Sequence, residues 1–290
     1  MAADAEASPE TIVARLPDGG DLSMRVFDAA GSEHVVLMLC GLGVAARYYA
    51  PTAAALAERG HTVVTADWRG LGASTIRAQR GVDFGYRELL EDDLPPMIAA
   101  VRQRCPDRPL TLLGHSLGGQ LGALHLSRHP GDAAGLVMVG ACSLYWKNWG
   151  TVRGPGFYAL SRVYRATAKT LGYFPGKRMG FGGTEARTLM LDWSHTVKTG
   201  RYRLAGSSVD YEASLRSATT SILALRIAGD TWAPERAVRH LLEKMPNATV
   251  EHREVGPDPD HTLDHFRWAK HPRVVVEAVE RWLSSDRTRA

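Results

Sequence analysis

Residues 110–126 read LTLLGHSLGGQLGALHL, and Ser116 stands in them between Gly114 and Gly118. An apolar run precedes the serine and a helical pattern follows it. A tight strand-to-helix turn needs small residues two positions to either side, because bulkier neighbours there would clash. The same turn lifts the hydroxyl above the strand ends and aims the first amides of the helix at it, which favours a developing oxyanion. Gly-x-Ser-x-Gly alone also occurs where a turn merely wants small residues; the strand–turn–helix setting points to nucleophilic chemistry. A serine hydroxyl is a poor nucleophile at neutral pH, so a base and an acid to orient that base must come from elsewhere.

Candidates for both follow. After ILALRIA, residues 222–228, comes Gly229-Asp230-Thr231-Trp232-Ala233-Pro234, which puts Asp230 in a loop ahead of a helix-opening proline. An aspartate at that place would also serve simply as a helix cap. The segment DPDHTLDHFRWAKHP, 258–272, offers His261, His265 and His271. His115, inside the turn, reads as a packed neighbour and not as the base.

The elements that must position these groups are visible as short apolar runs. TIVARL and LSMRVF flank Asp18-Gly19-Gly20 and predict an opening hairpin. VVLML (35–39), TVVTA (62–66), LTLLG (110–114), GLVMVG (135–140), ILALRIA (222–228) and ATVEHREV (248–255) follow as strands. Continuous apolar runs suit a parallel sheet covered on both faces. Helices are expected over 51–60, 235–245 and 272–283, and the alternation argues for an open α/β sheet with right-handed crossovers. From 143 to about 214 no plausible sheet strand occurs, and an inserted helical subdomain accounts better for that length than a loop would. The expected organisation is a core over 1–142, an inserted cap over 143–215, and a second part of the core over 216–290.

These signposts together resemble the α/β-hydrolase superfamily over nearly the whole chain: LMLCGLG (37–43), DWRGLGAS (67–74) and GHSLGG (114–119) occur in the order that the family shows. YWKNWG (145–150) and LGYFPGKRMGFG (171–182) are similar to a bacterial subgroup of poorly characterised α/β hydrolases with a helical cap here. The resemblance implies a mostly parallel eight-stranded sheet with helices on both faces and an inserted helical cap. Its order of nucleophile, acid and base implies Ser116, Asp230 and His265. No acid closely follows GLVMVG, so the alternative acid position is empty. His265 matches the subgroup's Gly-His-Phe, with Asp264 in place of the glycine; His261 and His271 stay open as bases. The oxyanion hole would use the amides of Leu117 and Leu42. Cys40 stands where the family usually has histidine. Cys40 itself makes a poor nucleophile, because no base is expected beside it. Asp67-Trp68-Arg69-Gly70 reads as a loop-shaping segment.

Composition narrows the classes. The chain has 290 residues, 44% hydrophobic and 23% charged, which is ordinary for a globular protein. No apolar run reaches membrane-spanning length. MAADAEASPE lacks a basic n-region and an apolar h-region, so no export signal is expected, and the first ten and last five or so residues should fray. Cys40, Cys105 and Cys142 lie far apart with no metal-ligand spacing, which suggests reduced thiols, a cytoplasmic location, and neither metal nor cofactor. Residues 143–211 carry eleven Lys/Arg against three Asp/Glu, although the net charge is only +4. No nucleic-acid motif accompanies that excess. Arg162, Arg165 and Lys169 could instead lie on a solvated face, attract an anionic substrate, or rest on an anionic membrane surface.

The 143–211 segment also holds twelve of the 22 aromatics. They imply an apolar cavity over Ser116 for an acyl chain or an aromatic group, with Trp68, His115, Tyr145, Trp146 and Trp232 as lining candidates. The leading expectation is a serine hydrolase cleaving a carboxylic ester or thioester through an acyl-enzyme. Acyl transfer to an alcohol or amine, or ligand binding without turnover, are the alternatives. Lyase and cofactor-free haloperoxidase chemistry share the scaffold, whereas dehalogenation would want a carboxylate at position 116. Oligomeric state is not legible.

Overall fold

In the computed structural model, which describes residues 10–285, the Asp18-Gly19-Gly20 turn joins β1 (Glu10–Arg15) to β2 (Asp21–Phe27) in antiparallel register, Ile12 opposite Met24. The expected fraying of the termini and the reading of the first residues as no export signal fall on, or almost wholly on, residues outside those described. β3 (Val35–Leu39), α1 (Ala50–Ala57), β4 (Thr62–Ala66), α2 (Leu94–Arg104), β5 (Leu110–His115), α3 (Leu117–Leu126) and β6 (Gly135–Val139) follow. β3, β4, β5 and β6 are buried at every residue, as continuous apolar runs covered by helices on both faces require.

The sheet order is β1-β2-β4-β3-β5-β6, continued by β9 (Ser221–Ile227) and β10 (Thr249–Val255). β1, β2 and β4 pair antiparallel; every other neighbouring pair is parallel. Strand order reverses between β3 and β5, and an open α/β sheet binds its ligand beyond the carboxyl ends of the strands at such a switch. α8 (Glu235–Leu242) and α9 (Arg273–Leu283) complete the frame.

Between β6 and β9 the chain forms α4 (Gly150–Leu171), β7 (Tyr173–Pro175), α5 (Gly176–Met179), β8 (Thr184–Ala186), α6 (Arg187–Thr199) and α7 (Tyr211–Ser217). No strand of this stretch joins the main sheet, and helices make up most of the insertion, with one small addition that the sequence did not signal. β7 and β8 pair antiparallel with Tyr173 opposite Ala186 and form a two-stranded sheet of their own. Three-residue strands set among glycines are too short for the period-two pattern to register. Among the described residues, no helix is long and apolar enough to cross a membrane.

Glu185 of β8 is almost fully buried, and its Oε1 accepts the Gly183 amide at 2.7 Å. Burial raises its carboxyl to about 7, against an ordinary value of 4.5. The folded protein thus holds that proton more tightly than the unfolded chain does, so stability from this group is full below about pH 4.5 and declines as pH rises towards 7. Glu185→Gln keeps an acceptor for Gly183 without the charge. Its melting temperature relative to wild type should climb by about 4 °C between pH 5 and pH 8, on the order of 2 kcal/mol. An offset equal at both pH values would refute the assignment.

Candidate active site

The turn after β5 places Ser116 at φ 50°, ψ −111°, a left-handed conformation that a non-glycine residue adopts only under constraint. Its amide is held by the Val139 carbonyl at 3.0 Å, and its own carbonyl accepts the Gly119 amide at 3.1 Å. A Cβ at Gly114 would lie 2.3 Å from the Gly119 nitrogen, and one at Gly118 would lie 2.2 Å from the Leu39 carbonyl oxygen. Both flanking glycines are therefore steric necessities. α3 is buried along its whole length while Ser116 remains partly exposed, facing a cavity of about 620 Å³.

Asp230 sits in the loop after β9 and His265 in the loop after β10, both buried. His265 Nδ1 lies 2.7 Å from Asp230 Oδ2. Asp230 Oδ1 accepts the Trp232 and Ala233 amides at 2.7 and 3.1 Å. One carboxylate thus organises the turn before α8 and, with its other oxygen, orients an imidazole. The capping and chemical readings of Asp230 are compatible. With Nδ1 engaged, Nε2 is the ring nitrogen left for the cavity, which His265 lines together with Ser116.

His261 and His271 are placed elsewhere. They stack on each other at 3.7 Å between ring centres, with His261 beside Asp258, and neither lines the cavity. Asp264, the departure from Gly-His-Phe, accepts the Phe266 and Arg267 amides at 2.8 and 2.7 Å. Its carboxylate supplies the turn by hydrogen bonding where a glycine would supply it by backbone freedom.

In the loop after β3, the Gly41 amide donates to the Tyr49 hydroxyl at 3.0 Å. That hydroxyl's own proton is then free for His115 Nδ1, 2.7 Å away. His115 is fully buried beside His265 and Trp268, and burial, reinforced by His265, drives its pKa well below the ordinary value, so it stays neutral. With Gly41 consumed, the next amide is that of Leu42, which meets no protein acceptor among the described residues. The Leu117 amide, first in α3, has no carbonyl one turn earlier to meet. Leu42 and Leu117 both line the cavity. Cys40 is a buried thiol that donates to the Ala66 carbonyl, and burial raises its pKa well above the usual range.

The lining candidates divide. His115 and Trp232 line the cavity; Trp68, Tyr145 and Trp146 do not. Trp68 is buried below the loop and donates Nε1–H to the Cys40 carbonyl at 2.9 Å, so Asp67-Trp68-Arg69-Gly70 does shape its surroundings. Asp67 accepts the Ala46 and Ala73 amides, and buried Arg69 pairs with Asp93, Nε to Oδ1 at 2.7 Å. Tyr145 packs on Gly200 and His240, and Trp146 on Tyr158 and Gly154. The aromatic wall instead comes from Trp149, Phe157, Tyr164, Phe181 and Trp193, which the sequence reading did not single out. The helical spacing of Phe157, Leu160 and Tyr164 was the available signal. Trp232 bridges the wall to the base: its ring stacks on Phe181 at 6.0 Å and on His265 at 6.1 Å. Among the described residues, no group of three His, Cys, Asp or Glu side chains is placed to hold a metal ion.

Gly140, at the carboxyl end of β6, underlies the Asp230–His265 pair. A Cβ there would lie 3.2 Å from His265 Nδ1 and 3.4 Å from Asp230 Oδ2, on a backbone with φ 60°. Gly140→Ala should slow fluorophosphonate labelling of Ser116 by about fivefold to tenfold, less than the roughly 100-fold that a full ångström's displacement of a reacting group costs. Labelling at the wild-type rate would show that the pair tolerates displacement.

The chain is 36% identical over 110 residues to the "Putative carbamate hydrolase RutD" of Variovorax paradoxus (strain S110), covering 37% of this chain and 38% of that one. It is 36% identical over 112 residues to the "Probable esterase PIR7A" of Oryza sativa subsp. indica, covering 39% and 40%. The chain thus spans about two fifths of the length of these curated relatives. In fold it is similar to a soluble variant of monoglyceride lipase from Saccharomyces cerevisiae, solved with a substrate analogue: TM-score 0.70, 14% identity, 98% of this chain and 97% of that one. Residues 30–251 match the family described as "Serine aminopeptidase, S33", and the chain belongs to this family of the α/β-hydrolase superfamily.

Proposed function

We propose that this chain is a cofactor-independent serine hydrolase that cleaves a carboxylic ester or thioester bearing an apolar acyl chain or aromatic group. The observation that carries the reading is the convergence, on one cavity, of a strained and partly exposed Ser116 with a His265 whose Nδ1 is engaged by buried Asp230. His265 Nε2 accepts the Ser116 proton as Oγ attacks the carbonyl carbon. Asp230 holds the ring in the required tautomer and stabilises the imidazolium. The Leu42 and Leu117 amides receive the oxyanion. The tetrahedral adduct collapses, the leaving alcohol or thiol takes the proton from His265, and water repeats the sequence to release the acid.

Cavity chemistry selects among the activities that the relatives' names suggest. An aminopeptidase must hold an α-ammonium, which calls for a carboxylate, and among the described residues no Asp or Glu lines this cavity. A small polar carbamate would leave most of the aromatic wall unused. Esterase chemistry suits both the volume and the lining.

A chain-length series of p-nitrophenyl esters tests the assignment. Ser116→Ala and His265→Ala should each lower kcat by about 10⁴ or more, and His261→Ala should leave it within about twofold. Full turnover in His265→Ala, or none by wild type across the series, would overturn it.

A further inference from the structure

The cavity over Ser116 carries a single permanently charged side chain among its described lining residues, Arg153 of α4. Arg153, Phe157, Leu160 and Tyr164 follow one another at intervals of four, three and four, the spacing of one helix face, and all four line the cavity. The first and last lie about 16 Å apart along the helix axis. Rings in contact link Tyr164 to the proposed base: it meets Phe181 at 5.2 Å, Phe181 stacks on Trp232, and Trp232 stacks on His265. Arg153 is thus the charged end of a stripe whose other members, Phe157, Leu160 and Tyr164, are apolar or aromatic.

Arg153 lines the cavity while remaining exposed to solvent. Arg153 has no ion-pair or hydrogen-bond partner among the described residues, and no acid occupies the first turn of α4, the end where a cation is disfavoured. The three acids of residues 143–211 are taken: Glu185 by the Gly183 amide, Asp192 by the amides of Tyr86 and Ala205, and Asp210 by the Ala213 amide. Arg187 of the insertion pairs with Asp83 of the core, Arg153 has no such partner among the described residues, and a cleft with apolar walls focuses the field of a cation that lines it. Arg162, Arg165 and Lys169, the cations of α4 that the sequence singled out, do not line the cavity.

We propose that Arg153 is a specificity-determining residue that receives an anionic group, so that the substrate is an ester or thioester whose apolar portion lies along Phe157, Leu160 and Tyr164 and ends in a carboxylate or phosphate. The inference rests on the ester-hydrolase reading for its kinetic test, and its binding test does not.

Two matched pairs separate the sources of the charge. The mono-p-nitrophenyl ester of dodecanedioic acid against p-nitrophenyl dodecanoate places the anion on the acyl side. Lauroyl-CoA against the lauroyl thioester of N-acetylcysteamine places it on the leaving group. Arg153→Gln should raise KM about twofold to fivefold for the anionic member of one pair, the scale of one exposed charge contact. Its kcat and its kinetics on the neutral members should stay at wild-type values, and Arg153→Lys should recover most of the loss. In parallel, quenching of cavity tryptophan fluorescence by dodecanoate should weaken by the same factor in Arg153→Gln, while quenching by dodecanol should not change. Equal KM shifts for anionic and neutral members, or identical titrations of wild type and Arg153→Gln by dodecanoate, would overturn the proposal even if ester turnover itself is robust.

Discussion

A single unfavourable backbone conformation organises this molecule. Ser116 holds a positive φ with a side chain attached, at a cost on the order of 1–3 kcal/mol, and the surrounding structure repays it. β5 ends against β3 and β6, α3 begins at once, and the crossing is so close that only glycine fits on either side. The central strands and α3 are buried throughout, because a kink under strain persists only where its neighbours cannot relax. The kink in turn delivers a hydroxyl and the first amide of α3 to the switch point of the sheet. The rest of the candidate site is assembled around that point by loops that leave the carboxyl ends of β3, β9 and β10.

Those loops share a device: each is shaped by a side chain that satisfies backbone amides near the cavity. Asp230 holds two amides with one oxygen and His265 with the other. Asp264 sets the turn that carries the Phe266 backbone onward from His265. The Tyr49 hydroxyl takes the Gly41 amide and links it to a neutral His115 packed against His265. A buried polar group left unpaired costs about 1–3 kcal/mol, so each contact also penalises other loop conformations. Geometry and stability are here the same bonds counted twice.

The insertion works differently. Its aromatics form a wall through ring-on-ring contacts, and Trp232 joins that wall to the imidazole from the opposite side. Tyr145 and Trp146 open the insertion in the sequence but pack away from the cavity, against His240 and Tyr158. Which face of an aromatic-rich segment turns towards the sheet depends on how α4 and α6 pack on each other and on the core, so residues near in sequence to the core need not be near to the site.

The local features of this chain were legible in its residues alone. Glycines around Ser116 imply a steric constraint at fixed offsets, apolar runs of five to seven residues imply buried parallel strands, and an aspartate before a helix-opening proline implies a turn with a carboxylate in it. Each of these signals acts within a few residues, where chain connectivity already fixes the neighbours. The choice among His261, His265 and His271, the burial of Trp68 beneath its loop, the pairing of β7 with β8 and the makeup of the aromatic wall belonged to tertiary structure. Apart from the β7–β8 pairing, whose strands are near in sequence but too short to show a pattern, these depend on contacts between segments tens of residues apart, such as Asp230 with His265 or Gly41 with His115. A side chain's distance from a cavity is set by packing, and packing has no period in the sequence.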